Sequence, residues 1–503
     1  MNDIYDLIQA EYEKDNYKIE YNNCKNGLAY IYCSSNALYE KDNLQSFKDK
    51  IIGGNRYEWS NLRAECKPEL EIFIRDIWLS WYVKGINSRV NTYDKLIDFI
   101  RSITKGYTIR CVGASSGGFI GSILAMELNA EISYSFAGQF SLSHHFDHLE
   151  QNPYLKEYCT TGEKKYIEYI LKQAEALLAI DSPSGFTEKV TDYLCEEYKR
   201  LGYKPVKTKK GGVLVEIGGK DNAVLTMAHV DTLGGMVAEI KSNGRLRLTK
   251  VGGLNANNIE TENCRIYTLD GKVYEGTVQL TDASIHVNGD YQRSERTFDS
   301  VEVLLDEKVS SREDVKALGI ENGSFVCMDP RTRITESGYI KSRFLDDKLS
   351  TAILLGFAKY VKDEDLKLSR KVYQHITVFE EVGHGACASA PEDVEELLSV
   401  DMGCVGEGLE CTDRQVSICV KDGHGPYHYD VVKGLIQAAK DNHIDYAADV
   451  YPYYGSDADA ALSAGIDARH GLIGPGVYAS HGYERSHKDA VAATLELLKA
   501  YLA

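Results

Sequence analysis

The apolar, β-branched run KVYQHITVF ends on two adjacent glutamates, Glu380 and Glu381, in the stretch TVFEEVGHGA. Alone, such a pair is an ordinary solvated strand end. Four other stretches change its meaning. The strand-like AVLTMA runs into His229-Val230-Asp231, where a carboxylate two residues from an imidazole could fix its tautomer and strengthen its metal-binding nitrogen. Asp346 and Asp347 stand before an apolar-periodic helix, where a helix cap is the bland alternative. Asp401 closes the run ELLSV, and His481 and His487 precede the terminal helix AVAATLELLKAYLA. Two divalent cations need about three protein ligands each, with positions left for water, and a shared carboxylate lets them sit side by side. One His, one Asp, one Glu, one Asp and one His, each at a strand end or helix start, supply that inventory.

The elements that must position these residues belong to a long chain. At 503 residues, the length suggests roughly three folding units. Hydrophobic content of 43% and charged content of 26% are ordinary for globular proteins, and there is no internal repeat or low-complexity tract. A formal net charge of −18 argues against nucleic acid as the main partner, because phosphate binding relies on clustered Lys and Arg. The start MNDIYDLIQAEYEKDNYK lacks a signal peptide's basic and apolar regions, and no run approaches a membrane span of ~18 apolar residues; a cytoplasmic location without membrane contact is expected. The 12 cysteines are scattered with no C-x-x-C pair, which predicts reduced thiols rather than disulfides or a thiolate zinc site.

Residues 1–150 read as alternating strands and helices: strand LAYIYCSSN, an aromatic-rich helix EIFIRDIWLSWYVKGI, helix TYDKLIDFIRSI and strand YTIRCVG. That last strand enters GASSGG and then the helix-like FIGSILAMELN. Gly113, Ser115 and Gly117 spell G-x-S-x-G, the sharp strand-to-helix turn that can expose a serine hydroxyl over helix amides. A Gly/Ser-rich turn after a strand is also often just a turn. His144, His145, Asp147 and His148 lie close by in sequence, on no obvious later strand. Residues 151–165 read as a polar linker. Helices IEYILKQAEALLAI and TEKVTDYLCEEYKRLG then open a second domain, over 166–238 and 339–503. Between its halves, 239–338 has the texture of a small β domain, with a turn at Leu269-Asp270-Gly271 and one helix opened by a capping box of Ser310 and Glu313.

Two resemblances follow from these motifs. MAHVDTLGGMV, FLDDK, FEEVGHGA, SVDMG, GSDADAAL and SHGYERSH, in that order over about 165–503, look like the dinuclear-metal aminopeptidases of the tetrahedral-aminopeptidase group, which includes glutamyl and deblocking aminopeptidases. Within it, YGSDADAAL and RHGLIGPGVYASHGYERSH resemble the subgroup encoded beside synthesis of the osmoprotectant N-acetylglutaminylglutamine amide. The segments YIYCSSNALY, WYVKGINS, VGASSGGF and SFAGQFSL resemble the front half of α/β-hydrolase-like proteins. That second resemblance implies Ser115 as a nucleophile, on a domain too short to carry the fold's usual later acid and histidine.

The first resemblance implies two divalent ions, zinc or cobalt: one held by His229, Asp346 and Asp401, the other by Asp346, Glu381 and His481, with Asp346 bridging. Glu380 matches the general base and Asp231 the carboxylate beside the first histidine. Asp457 matches a site-proximal aspartate that could orient substrate or a ligand, with Asp459 as a helix-start alternative. The usual final motif is Tyr-x-His-Ser-Pro; here His487 rivals His481, and His384 is a departure with no assigned role. Adjacent strand residues face opposite ways, so a kink or the loop's turn at Val382-Gly383 must bring both glutamates toward the metals. The family also implies an insert that mediates homo-oligomeric assembly. The expected fold is therefore α/β: a partial α/β-hydrolase-like domain, then a mixed-sheet metallopeptidase domain with an inserted small β domain. The expected function is metal-dependent removal of N-terminal residues from peptides. The rivals are a deacylase or carboxypeptidase acting on a modified dipeptide at the same metals, a non-catalytic fusion, and serine hydrolysis at Ser115.

Overall fold

The computed structural model describes residues 3–61, 67–136 and 153–503, with side chains from residue 165 in the third stretch. His144, His145, Asp147 and His148 lie outside the described residues. The chain divides into two compact units, Met1–Lys164 and Lys165–Ala503.

The first unit holds a five-stranded sheet in the order Tyr17–Tyr21, Leu70–Ile74, Leu28–Cys33, Thr108–Ala114, Ile132–Phe136, parallel except for Tyr17–Tyr21. The helix expected over 71–86 is overturned, because Leu70–Ile74 is a strand with all five residues buried. A strand covered on both faces reads as an unbroken apolar run, and periodicity does not separate it from a buried helix. The chain then turns at Asp76, whose carboxylate accepts the amides of Trp78, Ser80 and Tyr82. Ser115 sits between the strand Thr108–Ala114 and the helix Ser116–Glu127 with φ 50° and ψ −122°. A Cβ at Gly113 would lie 2.1 Å from the Gly117 carbonyl oxygen, and one at Gly117 2.2 Å from that of Cys33, so both positions are closed to any larger residue.

In the second unit, Ala223–His229 lies at the centre of a 12-stranded mixed sheet, between the parallel strands Val372–Thr377 and Val394–Val400; Arg469–Tyr478 lies parallel beyond the latter. All seven residues of Ala223–His229 are buried, which its apolar sequence requires. The helices Leu345–Asp363 and Lys488–Leu502 pack on this sheet through a shared apolar core. Inserted in the chain is a closed six-stranded barrel built from Gly234–Ile240, Leu246–Val251, Asn263–Tyr267, Val273–Leu280, Val301–Leu305 and Phe325–Met328. Its first strand starts at Gly234, five residues before the boundary read from the sequence, because Gly234 and Gly235 already pair with Val251 and Lys250.

Two further details depart from the sequence reading. The segment 151–165 is helical from Pro153, as part of the single helix Pro153–Leu178, whose Tyr166, Ile170, Ala174 and Leu177 enter the core at helical spacing. The capping box is shifted by one residue: Ser311 accepts the Asp314 amide and Asp314 reaches back, while Ser310 lies outside the helix. A Ser-Ser dipeptide followed by Arg-Glu-Asp offers both registers, and the shorter Asp side chain completes the one formed. Among the described residues no helix is long and apolar enough to cross a membrane, and the ten described cysteines are free.

Candidate metal centre

The candidate residues gather where several strands of the second sheet end. His229 is the last residue of the central strand, Asp401 follows the end of Val394–Val400, and Glu380 and Glu381 follow Val372–Thr377. This is the carboxyl edge of the parallel strands, where open α/β sheets place their ligands. The two glutamates are redirected by a turn with left-handed residues at both ends, Phe379 at φ 70° and Gly383 at φ 78°, around a short 3₁₀ segment Glu380–Val382. Gly383 was expected to turn; Phe379, a bulky residue in the left-handed region, gave no signal.

Asp346 and Asp347 do not cap a helix. Phe344 is the N-cap and bonds no amide through its side chain, and both aspartates have non-helical backbone angles at the start of Leu345–Asp363. Asp346 instead points its two oxygens at two histidines, with Oδ1 3.0 Å from His229 Nε2 and Oδ2 3.5 Å from His481 Nε2. Glu381 Oε2 lies 3.8 Å from His481 Nε2, and Glu380 Oε2 3.7 Å from His229 Nε2. Ligand atoms of His229, Asp346 and Glu381 lie within 4.8 Å of one another, as do those of His229, Asp347 and Asp401. The sequence reading grouped His229 and Asp401 with Asp346 and left Asp347 without a role; Asp347 also joins them, accepting the His229 amide through Oδ2.

The supports are as specific as the ligands. His229 Nδ1 bonds the backbone carbonyl of Asp231 at 2.9 Å, which leaves Nε2 to face the carboxylates. The tautomer is thus set by Asp231's backbone oxygen, whereas its carboxylate was the expected partner. That carboxylate lies 3.7 Å from Nδ1 and accepts the Ser184 hydroxyl at 2.5 Å and the Glu380 amide at 3.2 Å. Asp457 spends one oxygen on the Ala386 amide and the other on the Thr377 hydroxyl, so it ties together the two ends of the loop carrying Glu380. Asp459 completes a capping box with Ser456. His487 is engaged elsewhere, with Nε2 donating to the Ser337 carbonyl and Nδ1 accepting the Asp489 amide. His384 is exposed.

Glu484, unnoticed in the sequence, is buried and accepts the Asp346 amide at 3.1 Å and the His481 amide at 3.0 Å. It locks two distant segments to each other. In the motif YERS nothing distinguishes it from a surface charge.

The electrostatics point one way. Burial, then repulsion from the neighbouring carboxylates, pushes Asp401 up to about 7, Glu484 up to about 8, and Glu380, Glu381 and Asp347 well above the usual carboxylate range. Against the cost of burial, Glu380 and Asp346 hold the His229 imidazole well above its ordinary value, and the two histidines hold Asp346 below its own. Among the described residues no lysine or arginine pairs with Asp346, Asp347, Glu380, Glu381 or Asp401, and Asp347 Oδ1 and Glu381 Oε1 are buried without a partner. A buried carboxylate surplus with orphaned oxygens and two imidazoles is a donor set that fits divalent cations.

The mixed sheet thus carries an inserted barrel and, at its carboxyl edge, this cluster of carboxylates and imidazoles. Residues 211–497 match the M42 glutamyl aminopeptidase family, and the chain belongs to that family. It is 45% identical to YhfE of Bacillus subtilis (strain 168), named as an aminopeptidase, over 68% of this chain and 98% of that one. The lysyl aminopeptidase of Pyrococcus furiosus is 26% identical over 44% of this chain and 64% of its own. Among solved structures, the TET1 peptidase of Pyrococcus horikoshii, described as assembling into a tetrahedron or a large octahedral shell, matches with a TM-score of 0.59 at 22% identity, covering 66% of this chain and 98% of that one. Aminopeptidase APDkam598 of Desulfurococcus kamchatkensis matches with a TM-score of 0.59 at 24% identity, covering 68% and 95%. These two likenesses show the shared fold. The chain is thus a hydrolase, an aminopeptidase of the M42 family.

Proposed function

We propose that His229, Asp346, Glu381, Asp401 and His481 hold two divalent metal ions, zinc or cobalt, shared through Asp346, and that Glu380 is the general base in removing N-terminal residues from peptides. The observation that carries this reading is the Asp346 carboxylate, whose oxygens face two different imidazoles inside a carboxylate surplus. When bound, the ions would polarise the scissile carbonyl, acidify the attacking water and stabilise the tetrahedral oxyanion. Glu380 takes the proton of that water and returns it to the departing amine. Asp231 holds the base through its backbone amide. Asp347 lies behind His229 and Asp401 and completes the charge around them. The substrate's free ammonium finds an anionic partner among the same carboxylates, which makes the reaction exopeptidic.

Homo-oligomeric assembly through the barrel, a cytoplasmic setting and the placement beside synthesis of an amidated dipeptide belong to the same reading. The test pairs metal content with hydrolysis of aminoacyl anilides and an N-acetylated control, for wild type and Glu380→Gln. Two ions per chain, cleavage of free-amine substrates alone and a loss of ~10² or more in rate with the ions retained are expected. Cleavage of the acetylated control instead favours the deacylase.

A second reading concerns Ser115, and a specific observation favours it. Its positive φ, between a parallel strand and a helix and beside glycines packed close to backbone, resembles the strained turn of a nucleophile elbow, and the strand order of that sheet supports an α/β-hydrolase-like unit. Labelling by a fluorophosphonate probe, lost in Ser115→Ala, is the expected outcome; equal labelling of both proteins defeats it.

A further inference from the structure

A cavity of about 410 Å³ opens beside the metal centre and has Glu380 in its wall. Its other lining residues include Cys387, His424, Gly455, Asp457, Asp459 and Ser463, and among the described residues no lysine or arginine lines it. Besides Glu380, Asp457 and Asp459 bring carboxylates to its wall. Asp459 is fixed by the Ser456 amide and hydroxyl and by the Tyr427 hydroxyl. Asp422 stands behind it, fixed by the amides of His424 and Gly425 and by the same tyrosine. Burial, then the Asp422 carboxylate, pushes Asp459 up to about 6. His424 is held over Gly455, where a Cβ would come within 2.4 Å of the ring. Lysines nearby are turned to other work: Lys210 donates to the carbonyls of His384, Gly385 and Cys387, and Lys421 to that of Asp422.

Resting on the catalytic reading above, we infer that this cavity receives the side chain of the substrate's N-terminal residue, and that Asp459, backed by Asp422, selects lysine and arginine there. A cavity walled by the base lies next to the scissile carbonyl, and at about 410 Å³ it has room for a long side chain. A cationic side chain meets oriented carboxylates in a partly desolvated space, whereas an acidic one is repelled; both effects contribute to discrimination.

The experiment measures kcat/KM of the metal-loaded full chain on lysyl, arginyl, leucyl and glutamyl anilides, for wild type, Asp459→Asn and Ser463→Lys. Asparagine keeps an acceptor for the helix cap while removing the charge, and Ser463 is exposed, so a lysine there needs no repacking. In the wild type, lysyl and arginyl anilides should exceed the glutamyl one by roughly tenfold or more. Asp459→Asn should lower the lysyl-to-leucyl ratio by about tenfold, and Ser463→Lys should shift preference toward glutamyl. A glutamyl preference in the wild type, or ratios unmoved in both variants, overturns the inference while leaving the catalytic reading standing. If the metal-loaded wild type cleaves no anilide at all, the catalytic reading falls and this inference with it.

Discussion

Gly253 lies on the barrel side of the metal centre, just past the strand Leu246–Val251, and a Cβ built there would stand 2.5 Å from Nδ1 and 2.7 Å from Cε1 of His481. Ordinary contact begins at 3.4 Å, so Gly253→Ala requires the imidazole to retreat by about 0.9 Å. The ring cannot retreat freely. Its residue is held by the Glu484 carboxylate at the amide and by Asn258 at the carbonyl, and a backbone hydrogen bond at Gly253 engages the ring itself. Metal–ligand distances tolerate only ~0.2 Å. The displacement exceeds that several-fold, so an ion held as proposed by Asp346, Glu381 and His481 should bind roughly 10- to 100-fold more weakly and hydrolysis should fall by ~10² at limiting metal. The assay is a metal titration of anilide hydrolysis with direct metal analysis, using Gly406→Ala as the control because nothing lies within 4 Å of its added methyl. Wild-type metal affinity and rate in Gly253→Ala would refute His481 as a ligand.

Further outcomes follow from the same geometry. Glu484→Gln removes one of the two acceptors that fasten Asp346 to His481, and should weaken metal binding ~10-fold or more and lower the unfolding free energy of the chelated protein by about 1–3 kcal/mol; equal metal affinity contradicts the role. Chelation leaves Asp346, Asp347, Glu380, Glu381 and Asp401 buried together, so the melting temperature should drop and recover on adding zinc or cobalt; an unchanged melting curve contradicts the donor set. His375 is buried with Nδ1 unpartnered, and burial, then Lys210, lowers its pKa to about 3. Its contribution is present above the unfolded value near 6.5 and is lost as pH falls toward 3, up to ~5 kcal/mol at ~1.4 kcal/mol per unit. His375→Gln should flatten the decline of unfolding free energy between pH 6.5 and 4, and an unaltered slope rules this group out.

What was legible in the sequence was the placement of the candidate residues at element ends. His229, Asp401 and the two glutamates each follow an apolar run, and a buried strand advertises its terminus by the residue type that breaks it. The barrel's strands were legible for the same reason, with the turn at Asp270-Gly271 closing a hairpin between Asn263–Tyr267 and Val273–Leu280. What escaped notice depends on partners far away in sequence. Glu484 looks like a surface charge until its two amides are seen, and Asp231 looks like an imidazole's carboxylate partner although its backbone oxygen does that work. The strand Leu70–Ile74 was misread because its burial on both faces comes from neighbouring strands, which local periodicity does not encode.

The loop after Leu246–Val251 gives the inserted barrel a consequence for modularity. Gly252 abuts Glu381, Gly253 abuts His481, and Asn258 bonds the His481 carbonyl. The insert therefore supplies one wall of the cluster and cannot be exchanged like a tag. A chimera carrying a relative's barrel would inherit that relative's fit around the last histidine.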